Sequence, residues 1–353
     1  MELIGQGTYG CVIKPGLSCD YKHLSPKFIT KIHSKKSNVE REIEISEKIR
    51  TYPKFSENFA PILERCDNMN LANVKITKKE DVDECKFLTT SQSYVGTKIR
   101  FIEGLTINKY INEKLELDTT QKRYNNLLKI VLDIYQKIFS SIDILLSLKI
   151  VHNDLKEDNI IIKQNTHVPI IIDFGSSLDM KKILENKVDL KSQFIFSTKY
   201  ILWNIDQVLI SYIVHKKSLK DEISSTEMIS LYDELMYNNS YEQMDLIKPM
   251  LPKYREIFIK KFANKSRNCG ELMKTLMNKY QFWDKYSVSR MIIKIIHEID
   301  KRNVNYGSKS KAYDEMKTSD QANKSISKEN KSKTYDKIAE LIEYHLFKYL
   351  YEE

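Results

Sequence analysis

Nine glycines serve 353 residues, and three of them, Gly5, Gly7 and Gly10, fall within six positions. A chain this poor in glycine keeps little backbone for conformations that only glycine reaches, so a cluster of three has a local cause. The window reads Leu3-Ile4-Gly5-Gln6-Gly7-Thr8-Tyr9-Gly10-Cys11-Val12-Ile13, with alternating apolar residues on both sides. That pattern predicts a strand, a tight turn and a returning strand. Glycines in such a turn let backbone N–H groups approach phosphate oxygens with no Cβ in the way; a simple hairpin is the plain alternative. A dinucleotide-binding crossover needs a helix after the turn, and none is patterned here.

A second stretch carries more chemistry. Ile150-Val151-His152-Asn153-Asp154-Leu155-Lys156-Glu157-Asp158-Asn159-Ile160-Ile161-Ile162 is followed by Pro169-Ile170-Ile171-Ile172-Asp173-Phe174-Gly175. Two short β-rich apolar runs therefore each border a polar cluster containing an aspartate. Phosphoryl transfer needs a carboxylate to orient or accept the proton of the attacking hydroxyl, and oxygen ligands to hold Mg²⁺ against nucleotide phosphates. Asp154 suits the first role, and Asn159 with Asp173 suits the second. Lys156, two residues beyond Asp154, is placed to neutralise charge on the transferred group.

The order H-x-D-L-K-x-x-N, then D-F-G, with G-x-G-x-x-G-x-V far upstream, resembles the protein kinases. The resemblance covers roughly residues 1 to 300. It implies an α+β, two-lobed fold, with a small β-rich lobe over residues 1–104 and a larger helical lobe over 105–300. ATP would lie under the loop formed by Ile4, Gly5, Gly7, Gly10 and Val12, with Mg²⁺ on Asn159 and Asp173. The Gly7-Thr8-Tyr9-Gly10-Cys11-Val12 loop, with Lys14-Pro15 and Cys19 after it, also looks like kinases of large DNA viruses infecting protists, as does the Lys, Asn and Ile bias.

Position places the remaining kinase parts. Phe28-Ile29-Thr30-Lys31-Ile32 reads as the third strand, so Lys31 would contact the α- and β-phosphates, with Lys27 as its rival. The helix from Asn38 to Arg50 should supply a glutamate to that lysine; Glu42 matches best, with Glu40 and Glu44 open. Lys98 to Gly104 looks like a strand leading into a hinge. Leu128, Val131, Ile134, Ile138, Ile142 and Leu145 recur at helical spacing, which predicts one long buried helix over Gln121 to Leu148. His152 is expected to pack beside Phe174 rather than to act as an acid or base. Asn153 stands where the family usually has arginine, which implies activity without activation-loop phosphorylation.

The chain departs from the family pattern after Gly175. No A-P-E triplet follows; Phe196-Ser197-Thr198-Lys199-Tyr200 leads into Trp203-Asn204-Ile205-Asp206, read as a divergent peptide-substrate loop. Two aspartates compete to anchor the catalytic loop from below. Asp206 fits by distance along the chain, and Asp284 fits by pattern, since Trp283-Asp284-Lys285-Tyr286-Ser287-Val288 resembles the D-x-W-S-x-G helix. Asp284 is preferred, which implies an inserted helical segment near 207–282. Polar Ser, Lys and Asn then dominate from Lys301 to Lys333, which reads as a flexible linker. Ile338, Leu341, Ile342, His345, Leu346 and Tyr349 predict a C-terminal amphipathic helix within 334–353, either docked on the kinase or binding a partner.

Composition excludes several classes. The net charge of +9 is spread along the whole chain and marks out no nucleic-acid stripe, so no specific nucleic-acid binding is expected. Every apolar run is broken by Lys or Asp well before the ~18 residues of a membrane span, and the N-terminus lacks a basic and apolar leader. Five cysteines, Cys11, Cys19, Cys66, Cys85 and Cys269, form no C-x-x-C pair and are odd in number, so free thiols in a reducing compartment are expected. The location that follows is cytoplasmic, the host cytoplasm for a viral protein.

Three functions suit these residues. The first is a serine/threonine protein kinase using Mg²⁺ and ATP on a protein substrate, because Lys156 after the catalytic aspartate matches that group. The second is a small-molecule kinase of the choline or aminoglycoside type, which shares H-N-D-L and suits the missing A-P-E triplet. The third is a kinase-like scaffold, which usually lacks the lysine or a metal ligand; Lys31, Asp154, Asn159 and Asp173 are all present here.

Overall fold

The computed structural model describes residues 2–7, 10–19, 23–33, 39–70, 85, 93–116, 121–200, 202–237 and 251–307. They fall into two compact units. The first holds Met1–Ile107, Asp143–His152 and Asp158–Asp179, and the second holds Asn108–Ile142, Asn153–Glu157 and the chain from Met180 onward. Their content meets the α+β expectation, with a β-sheet N-terminal region and a helical C-terminal region.

The first unit is built on a five-stranded antiparallel sheet in the order β1-β2-β5-β7-β6. Its strands are β1 (Glu2–Gly7), β2 (Gly10–Lys14), β5 (Phe28–His33), β6 (Ile62–Asn70) and β7 (Ser93–Arg100), while the short pair β3 (Gly16–Leu17) and β4 (Leu24–Ser25) lies between β2 and β5 in sequence. The glycine window forms the expected hairpin, Gly7 pairing with Gly10 and Gly5 with Val12. Gly10 has a packing reason of its own: a Cβ there would stand 2.5 Å from the Ile32 carbonyl oxygen on the neighbouring strand. Thr8 and Tyr9, at the tip, lie outside the described residues.

Helix α1 (Val39–Arg50) buries Val39, Glu42, Ile45, Ser46 and Ile49, a stripe at helical spacing. Glu40 and Glu42 in its first turn and Lys48 and Arg50 in its last complement the helix dipole. One core cluster joins Ile13, Leu17, Ile32, Cys66, Met69 and Tyr94. A second joins Ala60, Ile62, Ile99, Ile102 and Ile170. Three further strands, β8 (Gly104–Thr106), β10 (Ile160–Lys163) and β11 (Pro169–Ile171), form a sheet in the order β11-β10-β8. Between them in sequence, β9 (Ile150–Val151) pairs with the later β12 (Leu178–Asp179). These ladders hold both ends of the two motif-bearing loops.

The cysteines correct the sequence expectation. Cys11 is bonded to Cys85 and Cys19 to Cys66, with Cα atoms 6.3 and 5.1 Å apart, which leaves Cys269 free and buried. The partners are 74 and 47 residues apart in sequence, so folding rather than local spacing brings them together. Free thiols therefore no longer argue for a reducing compartment. No helix among the described residues is long and apolar enough to cross a membrane.

The second unit is helical. The helix Gln121–Ser147 begins within it, and the six apolar positions read from its sequence are at most 2% exposed. Helix Ile205–Lys216 opens with a capping box in which Asn204 and Gln207 satisfy each other's backbone N–H groups. Nine of its residues are buried, as befits a helix inside a core. Helices Ser225–Tyr237, Leu251–Lys261 and Cys269–Met277 follow, in the span read as an insert. The helix Trp283–Gly307 then runs seven residues into the stretch read as flexible linker. The rest of that stretch and the C-terminal amphipathic helix lie outside the described residues.

Candidate active site

In the first unit, β5, α1 and the loop after β11 bring three charged side chains together. Lys31 Nζ lies 3.0 Å from each carboxylate oxygen of Glu42 and 2.8 Å from Asp173 Oδ1. The side chains of Lys31 and Glu42 are 11% and 4% exposed, whereas that of Asp173 is 46% exposed. Burial opposes the Lys31 charge, yet Glu42 and Asp173 hold its pKa above the usual lysine value. Burial pushes Glu42 up, against the pull of Lys31. For Asp173, the Lys31 ammonium outweighs the cost of burial and keeps the carboxyl below its usual range.

The competing assignments separate by contact. Lys27 is exposed, and Glu40 binds Arg65 at 2.6 Å. Glu44 is also exposed, on the outer face of α1. Val12 pairs directly with Lys31 across β2 and β5, so the glycine hairpin and the lysine are on neighbouring strands. Ile4 on that hairpin is 43% exposed.

The loop around Asp173 is held at several points. Asp173 itself has φ 62°, an uncommon conformation for a residue with a Cβ. Phe174 is buried between His152, at a ring distance of 5.1 Å, and Phe59, at 6.2 Å. His152 Nε2 meets the Ile172 carbonyl at 3.0 Å, and the Ser177 hydroxyl donates to the His152 carbonyl. His152 is thus fully buried beside Phe174. Arg41 Nη2 donates to the Gly175 carbonyl at 2.8 Å, a tie from α1 with no counterpart in the sequence reading. Asn159 is buried, and its carbonyl accepts from Ile172 N, the residue before Asp173.

In the second unit, Asp154 forms a separate cluster. Lys156 Nζ donates to Asp154 Oδ2 at 2.9 Å, and the Tyr200 hydroxyl donates to Asp154 Oδ1. Sequence reasoning placed Tyr200 in a substrate loop but had no signal for this bond. Tyr200 packs edge-on against Trp203 at 4.8 Å, and Trp203 Nε1 donates to the Asn153 carbonyl. Burial, with the negative charge of Asp154, raises the Tyr200 pKa and keeps its hydroxyl protonated.

Asn153 is the hub beneath. Its backbone N donates to Asp284 Oδ1 at 2.9 Å, and its side-chain Oδ1 accepts from Gln207 Nε2 at 2.8 Å. Its φ is 66°, a left-handed conformation that asparagine tolerates better than most residues with a Cβ. The bond from Asp284, rather than one from Asp206, therefore ties down the catalytic-motif backbone. Asp206 is instead buried in the helix that starts at Ile205, and burial pushes its carboxyl up to about 7 against the pull of Lys279.

No curated protein matches the chain. The family model for the protein kinase domain, however, matches residues 1–205, which ends at the start of helix Ile205–Lys216 and falls short of the reach of the resemblance, roughly to residue 300. Since that match spans more than half of the 353 residues, the chain belongs to the protein kinase domain family.

Proposed function

We propose that this protein is a serine/threonine protein kinase that transfers the γ-phosphate of Mg-ATP to serine and threonine hydroxyls of a protein substrate. The observation that carries the reading is Lys31, a buried cation bound to both Glu42 oxygens and to half-exposed Asp173. A lysine held charged in this way is ready to meet phosphate oxygens. The backbone of the Gly5–Val12 hairpin, with Ile4 beside it, would cover the nucleotide.

Magnesium takes one or two carboxylates and completes its shell with phosphate and water oxygens. Asp173, exposed and held ionised, and the carboxamide of Asn159 suit that need. Among the described residues no group of three or more His, Cys, Asp or Glu side chains is gathered for a metal, and magnesium needs none. When bound, the ion supplies positive charge against the phosphates. Asp154 orients the acceptor hydroxyl and takes its proton, while Lys156, bonded to Asp154, neutralises charge on the group being transferred. Catalysis then rests on positioning and charge rather than on a covalent intermediate.

The serine/threonine assignment rests on Lys156 at its place after Asp154, and the likeness to kinases of large DNA viruses infecting protists rests on the glycine loop. The test is transfer of labelled γ-phosphate from Mg-ATP to a mixed protein panel, to choline and to aminoglycosides, comparing wild type with Asp154→Ala. Serine or threonine label that vanishes in the variant is the expected result. Label on a metabolite alone moves the function to a small-molecule kinase, and nucleotide binding without transfer moves it to a scaffold.

A further inference from the structure

Between the helix Leu190–Gln193 and Tyr200, within the second unit, the chain belongs to no helix or ladder, yet its side chains alternate inward and outward as in a strand. Phe194 opens the stretch in extended backbone, with φ −108° and ψ 129°. It is buried edge-on against Trp283, and its carbonyl meets His215 Nε2 at 2.6 Å. Phe196 packs on Tyr212, the Thr198 hydroxyl donates to Glu234, and the Tyr200 hydroxyl donates to Asp154. The residues between these anchors face outward: Ile195 is 57% exposed, Ser197 is half-buried and Lys199 is exposed. Among the described residues, the backbone N–H and carbonyl groups of Ile195, Phe196 and Ser197 have no hydrogen-bond partner. An unpaired extended edge takes up another extended segment through main-chain hydrogen bonds, and the side chains along it supply the selectivity.

The charge on this outward row is positive. Among the described residues no carboxylate pairs with the Lys199 ammonium, whose backbone N–H is held by Ser197 Oγ. The acidic groups around it are already engaged: Glu234 by Thr198, Glu157 by Lys294 at 3.0 Å, and Asp189 by the backbone N–H groups of Lys191 and Ser192.

We propose that this row selects the protein substrate, and that the acceptor lies in an extended segment carrying an acidic residue, read by Lys199, and an apolar residue, read by Ile195. The inference rests on the kinase reading of Asp154 and deepens it by naming the class of substrate. Lys199 adjoins Tyr200, whose hydroxyl is on Asp154, so the acidic residue falls close to the acceptor hydroxyl. Ile195 stands four residues before Lys199 on the same outward face, so the apolar residue falls farther along the same segment. Complementary charge at an exposed position chooses among partners more than it adds affinity, as a kinase with many competing hydroxyls requires.

The experiment uses the whole chain with labelled Mg-ATP and a serine- and threonine-containing peptide library in which each position around the acceptor is fixed in turn as glutamate, lysine, isoleucine or glycine. Wild type is expected to favour glutamate over lysine at a position near the acceptor by roughly two- to fivefold, the range an exposed ion pair allows. Isoleucine should be favoured over glycine at a position farther away. Lys199→Gln is expected to flatten the charge preference and Lys199→Glu to invert it, and the inverted response itself shows that the variant folds. Ile195→Ser is expected to flatten the isoleucine preference and leave the charge preference in place. Peptide phosphorylation by wild type without either preference, or a preference that survives the matching substitution, overturns the proposal and leaves the kinase reading intact. No peptide label from wild type overturns the protein-kinase reading and this proposal with it.

Discussion

Carboxylates at and near the candidate site are satisfied differently in the two units. In the first, Glu42 is buried against a buried lysine, so charge answers charge away from water. In the second, Asp154 takes a tyrosine hydroxyl and a lysine whose side chain is 37% exposed; Asp284 takes a backbone N–H, and Asp206 is buried with burial dominating its titration. A paired buried charge is a structural member as well as a chemical one, because removing either partner strands the other in a poor solvent. A carboxylate served by a hydroxyl and an exposed cation can be removed with less structural damage.

Glu42→Ala should test this most severely. It is expected to abolish transfer and to lower unfolding stability by about 1.5–3 kcal/mol, the range for a lost hydrogen bond to a charged group, because Lys31 keeps Asp173 and is not fully orphaned. Urea unfolding of the whole chain measures it, and a loss under about 1 kcal/mol would break the contrast. Asp154→Ala is expected to lower transfer by roughly 10²–10⁴-fold, the range for losing a general base, while stability moves by less than about 1 kcal/mol. Steady-state kinetics beside the same unfolding curve would separate the two effects.

Asp206 sharpens the comparison through pH. Its carboxyl rises from an ordinary 3.8 in the unfolded chain to about 7 in the fold. Between those values the folded protein holds a proton that the unfolded chain has released, so stability is highest below the unfolded value and falls as pH rises toward about 7. The slope contributed is at most about 1.4 kcal/mol per pH unit. Unfolding curves from pH 4 to 8 should show that slope in wild type and a flatter one in Asp206→Asn. Asn153→Ala is expected to lower stability by about 1–2 kcal/mol, more than Asp154→Ala, from left-handed backbone strain and the lost Gln207 bond. It should slow transfer through a displaced Asp154 without weakening nucleotide binding, as titration calorimetry would report.

Much of the candidate site was legible because its chemistry is packed into contiguous sequence. Asp154, Lys156, Asn159 and Asp173 all lie within two short loops between β-rich runs, and the three motifs keep the family's order. Glu42 was also readable in principle, since it is in phase with the buried positions Val39, Ile45 and Ile49 on α1, whereas Glu40 and Glu44 are not. The disulfides were not legible, because they depend on which strands become neighbours. Tyr200 was equally hidden: nothing in its local pattern says that its hydroxyl will meet Asp154, 46 residues earlier. The helix end at Gly307 was missed because composition turns polar at Lys301 while the backbone continues its turns.

Asn153 has a consequence for how the protein can change. Its N–H, its carbonyl and its side chain answer to Asp284, Trp203 and Gln207, at sequence separations of 131, 50 and 54. Three remote positions are thereby fastened to one residue next to the candidate base. An arginine introduced at 153 would lack the carboxamide oxygen that Gln207 engages, and it would add a buried cation whose counter-charge would have to come from elsewhere. Exchange at this position is therefore passable only as a concerted step, and any lineage that carries the asparagine is expected to keep all four residues together or replace them together.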